Sequence, residues 1–137
     1  MLSKKTKYGL KALIYIARQD ATAPVLISDI SEKEQIPKKF LEAILLDLKK
    51  FGILGSKKGK GGGYYLMKDP KTVTAATLIR VLDGPIAMLP CVSLNYYERC
   101  NDCPDEKICA LNHFMAEVRD NTLKLLQQKS LYDLTLV

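Results

Sequence analysis

The sequence predicts a mainly α fold with one small β-hairpin, a winged helix-turn-helix followed by a long C-terminal helix. Three observations predict it. Apolar residues recur at helical spacing from Lys4 to Lys50, Pro37 opens the last helix of that stretch, and a glycine–lysine run, Lys57 to Gly63, separates two short apolar runs. Helix, short helix, tight turn, longer helix and basic hairpin, in that order, is the winged arrangement.

The first helix covers Lys4 to Gln19, where Leu10, Leu13, Ile14 and Ala17 share a face. Ala21-Thr22-Ala23-Pro24 breaks it. Ser28 reads as the N-cap of a second helix over Asp29–Glu34, with Asp29 complementing the helix dipole. Pro37 suits the first position of the third helix, because its missing N–H would be unpaired there in any case. Leu41, Ile44, Leu45 and Leu48 form that helix's apolar face, and Gly52 stops it in the left-handed conformation. A strand at Ile53–Ser56, the basic turn and a returning strand at Tyr64–Met67 make the hairpin. Thr74 caps a further helix carrying Leu78, Ile79, Val81 and Leu82, which Gly84-Pro85 ends.

Residues 90–108 are polar, without periodicity, and read as a loop. From Cys109 to about Lys129, Leu111, Met115, Val118, Thr122 and Leu125 repeat at alternating intervals of four and three, the spacing of a helix-packing seam. Such a seam, following a complete small domain, favours pairing with a second copy; the other expectation is that it folds back on its own domain. The chain therefore divides into a winged unit at 1–84, a cysteine-bearing effector loop at 85–108, and a dimerisation helix with C-terminal tail at 109–137.

With 137 residues, 47% of them hydrophobic, the chain has the size of one compact domain that buries a core without disulfides. No run of eighteen apolar residues exists, and the start, Met1-Leu2-Ser3-Lys4-Lys5, lacks the features of a signal peptide, so a cytoplasmic protein without membrane contact is expected. The net charge is +6, unevenly spread: residues 1–71 carry +8 and residues 72–137 carry −2. That asymmetry suits a front half that meets a polyanion, although lysine-rich faces also serve solubility.

Two features would carry DNA binding. The N-terminal turn of the third helix would enter the major groove, where Lys38 and Lys39 can take phosphates or guanine edges and Glu42 can accept from a cytosine amino group. In the hairpin tip, Gly59, Gly61, Gly62 and Gly63 let the backbone approach a duplex, while Lys57, Lys58 and Lys60 supply charge. A nucleotide-binding glycine loop would need a helix after it; here a strand follows. The plain alternative is a solvated flexible turn.

Cys91, Cys100, Cys103 and Cys109 are the only cysteines, and all fall within nineteen residues, spaced Cys-x8-Cys-x2-Cys-x5-Cys. Thiolates are soft ligands for zinc, copper(I) or iron–sulfur clusters. Structural zinc favours two close doublets, and only Cys100-Asn101-Asp102-Cys103 is one. A metal-free thiol switch using Cys100 and Cys103 stays open, assisted by thiol pKa values lowered near Lys107 or the long helix's N-terminus. So, from other classes, do a small CxxC redox protein and a protein-interaction adaptor, although no strands flank the cysteine doublet as a thioredoxin-like unit would require.

The run Ile36-Pro37-Lys38-Lys39-Phe40-Leu41-Glu42, the wing Lys57 to Tyr64, and Leu82-Asp83-Gly84 before a cysteine cluster resemble the Rrf2 family of bacterial winged-helix transcription regulators, over nearly the whole chain. The resemblance implies a homodimer on a double-stranded DNA operator and no enzymatic activity, with repression the expected mode. It puts Phe40 and Glu42 on recognition-helix contact positions and Lys58 where members often have a minor-groove arginine. It also implies an iron–sulfur cluster, two-iron or four-iron: clustered members use three cysteines with five residues between the last two, onto which Cys91, Cys103 and Cys109 fall, leaving Cys100 extra. Where a histidine completes the set three residues past the last cysteine, this chain has Asn112, with His113 one place later.

Overall fold

The computed structural model describes residues 1–137 as six helices and one hairpin. Helix α1 (Lys4–Arg18) starts on Ser3, whose Oγ accepts from Thr6 N–H, and buries Ala12, Leu13 and Ile16. Helix α2 (Ile27–Glu34) begins two residues earlier than the sequence suggests. Its N-cap is Leu26 and it has no side-chain cap. The physical reason is a long-range pairing: Val25 exchanges two backbone hydrogen bonds with Tyr64 (2.7 and 2.8 Å), which fixes the extended entry that a capping side chain would otherwise set.

Gln35 ends α2 in the left-handed region (φ 54°), and the amides of Gln35 and Ile36 both donate to Ser31 O. Ser31 Oγ in turn donates to Ile36 O at 2.6 Å, and Ile36 is buried, so the helix-turn-helix angle is held from both sides of the turn. Helix α3 (Lys38–Lys50) follows. Pro37 is its N-cap, not its first residue; the proline carbonyl accepts from Leu41 N–H. The predicted face, Leu41, Ile44, Leu45 and Leu48, is buried. Gly52 (φ 78°) closes α3 as expected, with Ile53 N–H reaching back to Leu48 O.

Strands β1 (Leu54–Lys57) and β2 (Gly63–Leu66) pair antiparallel, Leu54 opposite Leu66 and Lys57 opposite Gly63. Helix α4 (Ala75–Leu82) is capped by Thr74 as predicted, its Oγ1 accepting from Thr77 N–H. The polar segment after it contains two single 3₁₀ turns, Pro90–Val92 and Glu106–Ile108, and α5 (Ala110–Gln128) follows.

Two features differ from the sequence reading. Helix α5 folds back on its own domain: it packs on α4 and on the Pro90–Val92 turn, Arg119 donates to Val92 O, and Leu123 is buried. The predicted seam is a neighbouring stripe, with Leu111, Thr122 and Leu125 exposed and Met115 and Val118 half-buried. The expected C-terminal tail contains α6 (Leu131–Thr135), packed on α1. Leu131 is fully buried in the same apolar cluster as Leu13, Leu45 and Leu78, and its amide donates to Val73 O at 2.8 Å. No helix is long and apolar enough to cross a membrane.

Candidate nucleic-acid interface and cysteine cavity

The start of α3 stands free of the core. Lys38, Lys39 and Glu42 are exposed, and no carboxylate pairs with either lysine. Phe40 is held differently: its ring meets that of Tyr8 edge to face, with centroids 5.6 Å apart, so part of the side chain is committed to α1. The same contact brings the N-terminal turns of α1 beside α3, where Lys5 Nζ lies 2.8 Å from Asp47 Oδ2 and holds that carboxyl below its usual range. Lys4 and Lys7, in the first turn of α1, are exposed as well.

The wing sorts its glycines. Gly59 (φ 88°) and Gly61 (φ 75°) face open space at the tip. Gly62 and Gly63 are internal: a Cβ on Gly62 would lie 2.2 Å from Lys57 O, and one on Gly63 2.3 Å from Val25 O. Those two therefore build the hairpin, leaving Gly59 and Gly61 as the points of possible close approach. Lys57, Lys58 and Lys60 are exposed and unpaired.

All four cysteines are free thiols and line one cavity of about 630 Å³ at the base of α5, together with Leu89, Arg99, Ile108, Leu111 and Asn112. Cys91 sits in the Pro90–Val92 turn. Cys109 is the N-cap of α5, its Sγ accepting from Asn112 N–H at 3.4 Å. The Asn112 side chain donates to Cys91 Sγ, also at 3.4 Å. His113 is exposed and outside the cavity lining. Asn112, one position before it, is the residue that faces the sulfurs, since adjacent helical positions differ by about 100°.

The expected lowering of the thiol pKa values is overturned. Cys100 Sγ donates to Asp102 Oδ1 at 2.7 Å, and that bond pushes the thiol pKa up while holding the Asp102 carboxyl down. Partial burial, followed by the nearby Cys109, pushes Cys103 up. Lys107 contributes to neither. Both shifts favour the thiol over the more nucleophilic thiolate. As a donor set, four cysteines lining one cavity, two of them accepting from Asn112, have the ligand chemistry of a soft metal centre. The side chains are not drawn to a single coordination point.

A helix-turn-helix anchored on the core, an exposed basic α3 start and a lysine-tipped wing define a winged-helix DNA-binding protein. The model of the Rrf2 family, described as iron-dependent transcriptional regulators, matches residues 2–136, and the chain belongs to that family. It is 43% identical over 137 residues to an rrf2-like HTH-type transcriptional regulator of Rhodobacter capsulatus, covering 98% of this chain and 91% of that one. To NsrR of Bacillus licheniformis it is 28% identical over 133 residues, covering 97% and 90% of the two chains. Its fold matches that of CymR, the global cysteine regulator of Bacillus subtilis, with a TM-score of 0.80 and 28% identity, covering 98% of this chain and 95% of that one. The protein is a DNA-binding transcription regulator and not an enzyme, which sets aside the small redox enzyme.

Proposed function

We propose that the protein is a cytoplasmic homodimeric repressor that grips a pseudo-palindromic operator and whose operator affinity is set at its cysteine site by an iron–sulfur cluster. The observation that carries the last part is the convergence of all four cysteines on one cavity at the N-terminus of α5. Cys91, Cys103 and Cys109 would hold the group, with Cys100 the fourth donor, and its redox change or loss would supply the signal.

Lys38, Lys39, Phe40 and Glu42 are assigned to the major groove, and Lys57, Lys58, Gly59, Lys60 and Gly61 to the backbone or minor groove beside it. Pairing through α5 is supported by the outward exposure of Leu111, Phe114 and Leu125 (54%, 57% and 57%) on a helix whose other stripe is already packed. Half-sites one turn apart need heads about 34 Å apart, so a change at Cys109, where α5 begins, acts on the element that spaces them. An effector that alters operator affinity must have its own affinity altered equally.

The test is purification without oxygen, followed by an absorption spectrum, iron and sulfide counts per chain, the mass in solution, and retardation of promoter DNA with and without the metal. Visible absorption with stoichiometric iron and sulfide, together with an operator affinity that changes on their removal, is expected. A colourless, iron-free protein with four titratable thiols would end the cluster reading and leave the metal-free switch. That second reading has one favourable observation, the Cys103 N–H to Cys100 O hydrogen bond (3.3 Å), which puts the two on one tight turn.

A further inference from the structure

The segment between α4 and α5 has little regular structure, yet its Pro90–Val92 turn is tied to α5 at two points. Asn112 Nδ2 donates to Cys91 Sγ at 3.4 Å, and Arg119 Nη1 donates to Val92 O at 2.7 Å. The two donors are seven residues apart, two helical turns, and so lie on one face of α5. They bond adjacent residues of the turn. Arg119 is fixed for this role: its side chain is only 17% exposed, and Asp120 Oδ1 accepts from its Nε and Nη2 at 2.9 and 2.8 Å. Val92 and Ser93 beneath it are buried.

Asn112 has a second function in the same place. Its backbone amide donates to Cys109 Sγ, so one residue presents a donor to each of two sulfurs that lie eighteen positions apart in the chain. We infer that Asn112 and Arg119 form a two-point clamp that fastens the Cys91 turn to α5, and that Asn112 is the positioning residue that holds Cys91 and Cys109 toward the shared cavity. Through this clamp the chemistry of Cys91 reaches α5, whose Leu123 stripe rests on α4, which in turn packs on α1 and α3. The clamp rests on these hydrogen bonds alone. Only its effect on ligand binding rests on the function proposed above.

Hydrogen exchange on the full-length, metal-free protein tests it. Asn112→Leu removes the side-chain donor at similar volume, and Arg119→Met keeps much of the apolar stem while removing every donor. Exchange in residues 89–98 is expected to rise about fivefold for each hydrogen bond removed. Protection in α3 should be unchanged. Arg119→Lys, which keeps a donor, should restore most of the protection lost in Arg119→Met. Should Arg119→Met lose α3 protection, Asn112→Leu alone carries the test.

Unchanged exchange at 89–98 in the variants overturns the clamp, whatever the metal results. Anaerobic titration with cobalt(II), read by its thiolate charge-transfer absorption, supplies the second arm: Asn112→Leu should bind at least about tenfold more weakly, as loss of a group supporting a ligand does. Equal cobalt affinity overturns the positioning role of Asn112. A wild-type protein that takes up neither iron nor cobalt, with exchange still raised in the variants, removes the cluster reading and leaves the clamp standing.

Discussion

Replacing Lys57, Lys58 and Lys60 together by glutamine should flatten the salt dependence of operator binding. All three ammonium groups are exposed and none has a carboxylate partner, so their charge is free to displace counterions from a duplex. Each phosphate neutralised steepens the log–log slope by about 0.9, so three contacts per head, doubled in a dimer, account for a slope of about 5. Between 50 and 200 mM salt that corresponds to about a thousandfold in affinity that the variant would no longer lose. The internal control is Lys11→Gln: Lys11 is spent within the protein, donating to Glu34 O at 3.0 Å with the Glu34 carboxylate 3.6 Å away, and its loss should leave the slope alone. Fluorescence anisotropy of labelled promoter DNA across a salt series reads both. A triple variant whose slope equals that of the wild type refutes the assignment of the wing to the phosphate backbone.

Other outcomes follow from the fold. Leu131→Ala should cost about 3 kcal/mol in urea unfolding, the range for a fully buried leucine, because α6 closes the core shared with α1; a cost under about 1 kcal/mol would show that α6 is only draped on the surface. Gln35→Gly should stabilise by up to about 1 kcal/mol, since a non-glycine residue in the left-handed region is strained, and thermal melting checks the sign. Asp47 is held below its ordinary pKa chiefly by its hydrogen bond to Lys5, so its contribution is present above the unfolded-state value near 3.8 and is lost as pH falls through the lower folded-state value. Asp47→Asn should therefore shrink the stability lost on acidification below about pH 4, measured by denaturant titration at a series of pH values.

Much of the head was legible because its signals are local. The 3.6-residue period of Leu41, Ile44, Leu45 and Leu48, the cap at Thr74 and the stop at Gly52 each depend on neighbours within one or two turns. The start of α2 is not marked locally, because Leu26 is held by the pairing of Val25 with Tyr64, thirty-nine residues away, and not by a side-chain cap. Helix α6 is too short for periodicity to mark it, although its capping box, Ser130 with Asp133, is written in the chain. Of the site, the sequence named the four cysteines and the exposed lysines. It set Asn112 aside as a departure from the expected histidine, when Asn112 is the residue that faces two of the sulfurs.

The sequence by itself determined the order of helices, the hairpin, the placement of positive charge in the front half, and the clustering of thiols before a long helix, since periodicity, turn chemistry and charge count require no knowledge of distant contacts. Tertiary structure alone decided which thiols share a wall with which donors, which stripe of α5 is packed and which is left outward, and that the last residues complete the core. Those outcomes rest on pairs far apart in the chain, Cys91 with Asn112, Val92 with Arg119 and Val73 with Leu131. Such pairs form only once burial of the common core has offset the entropy of closing the loops between them.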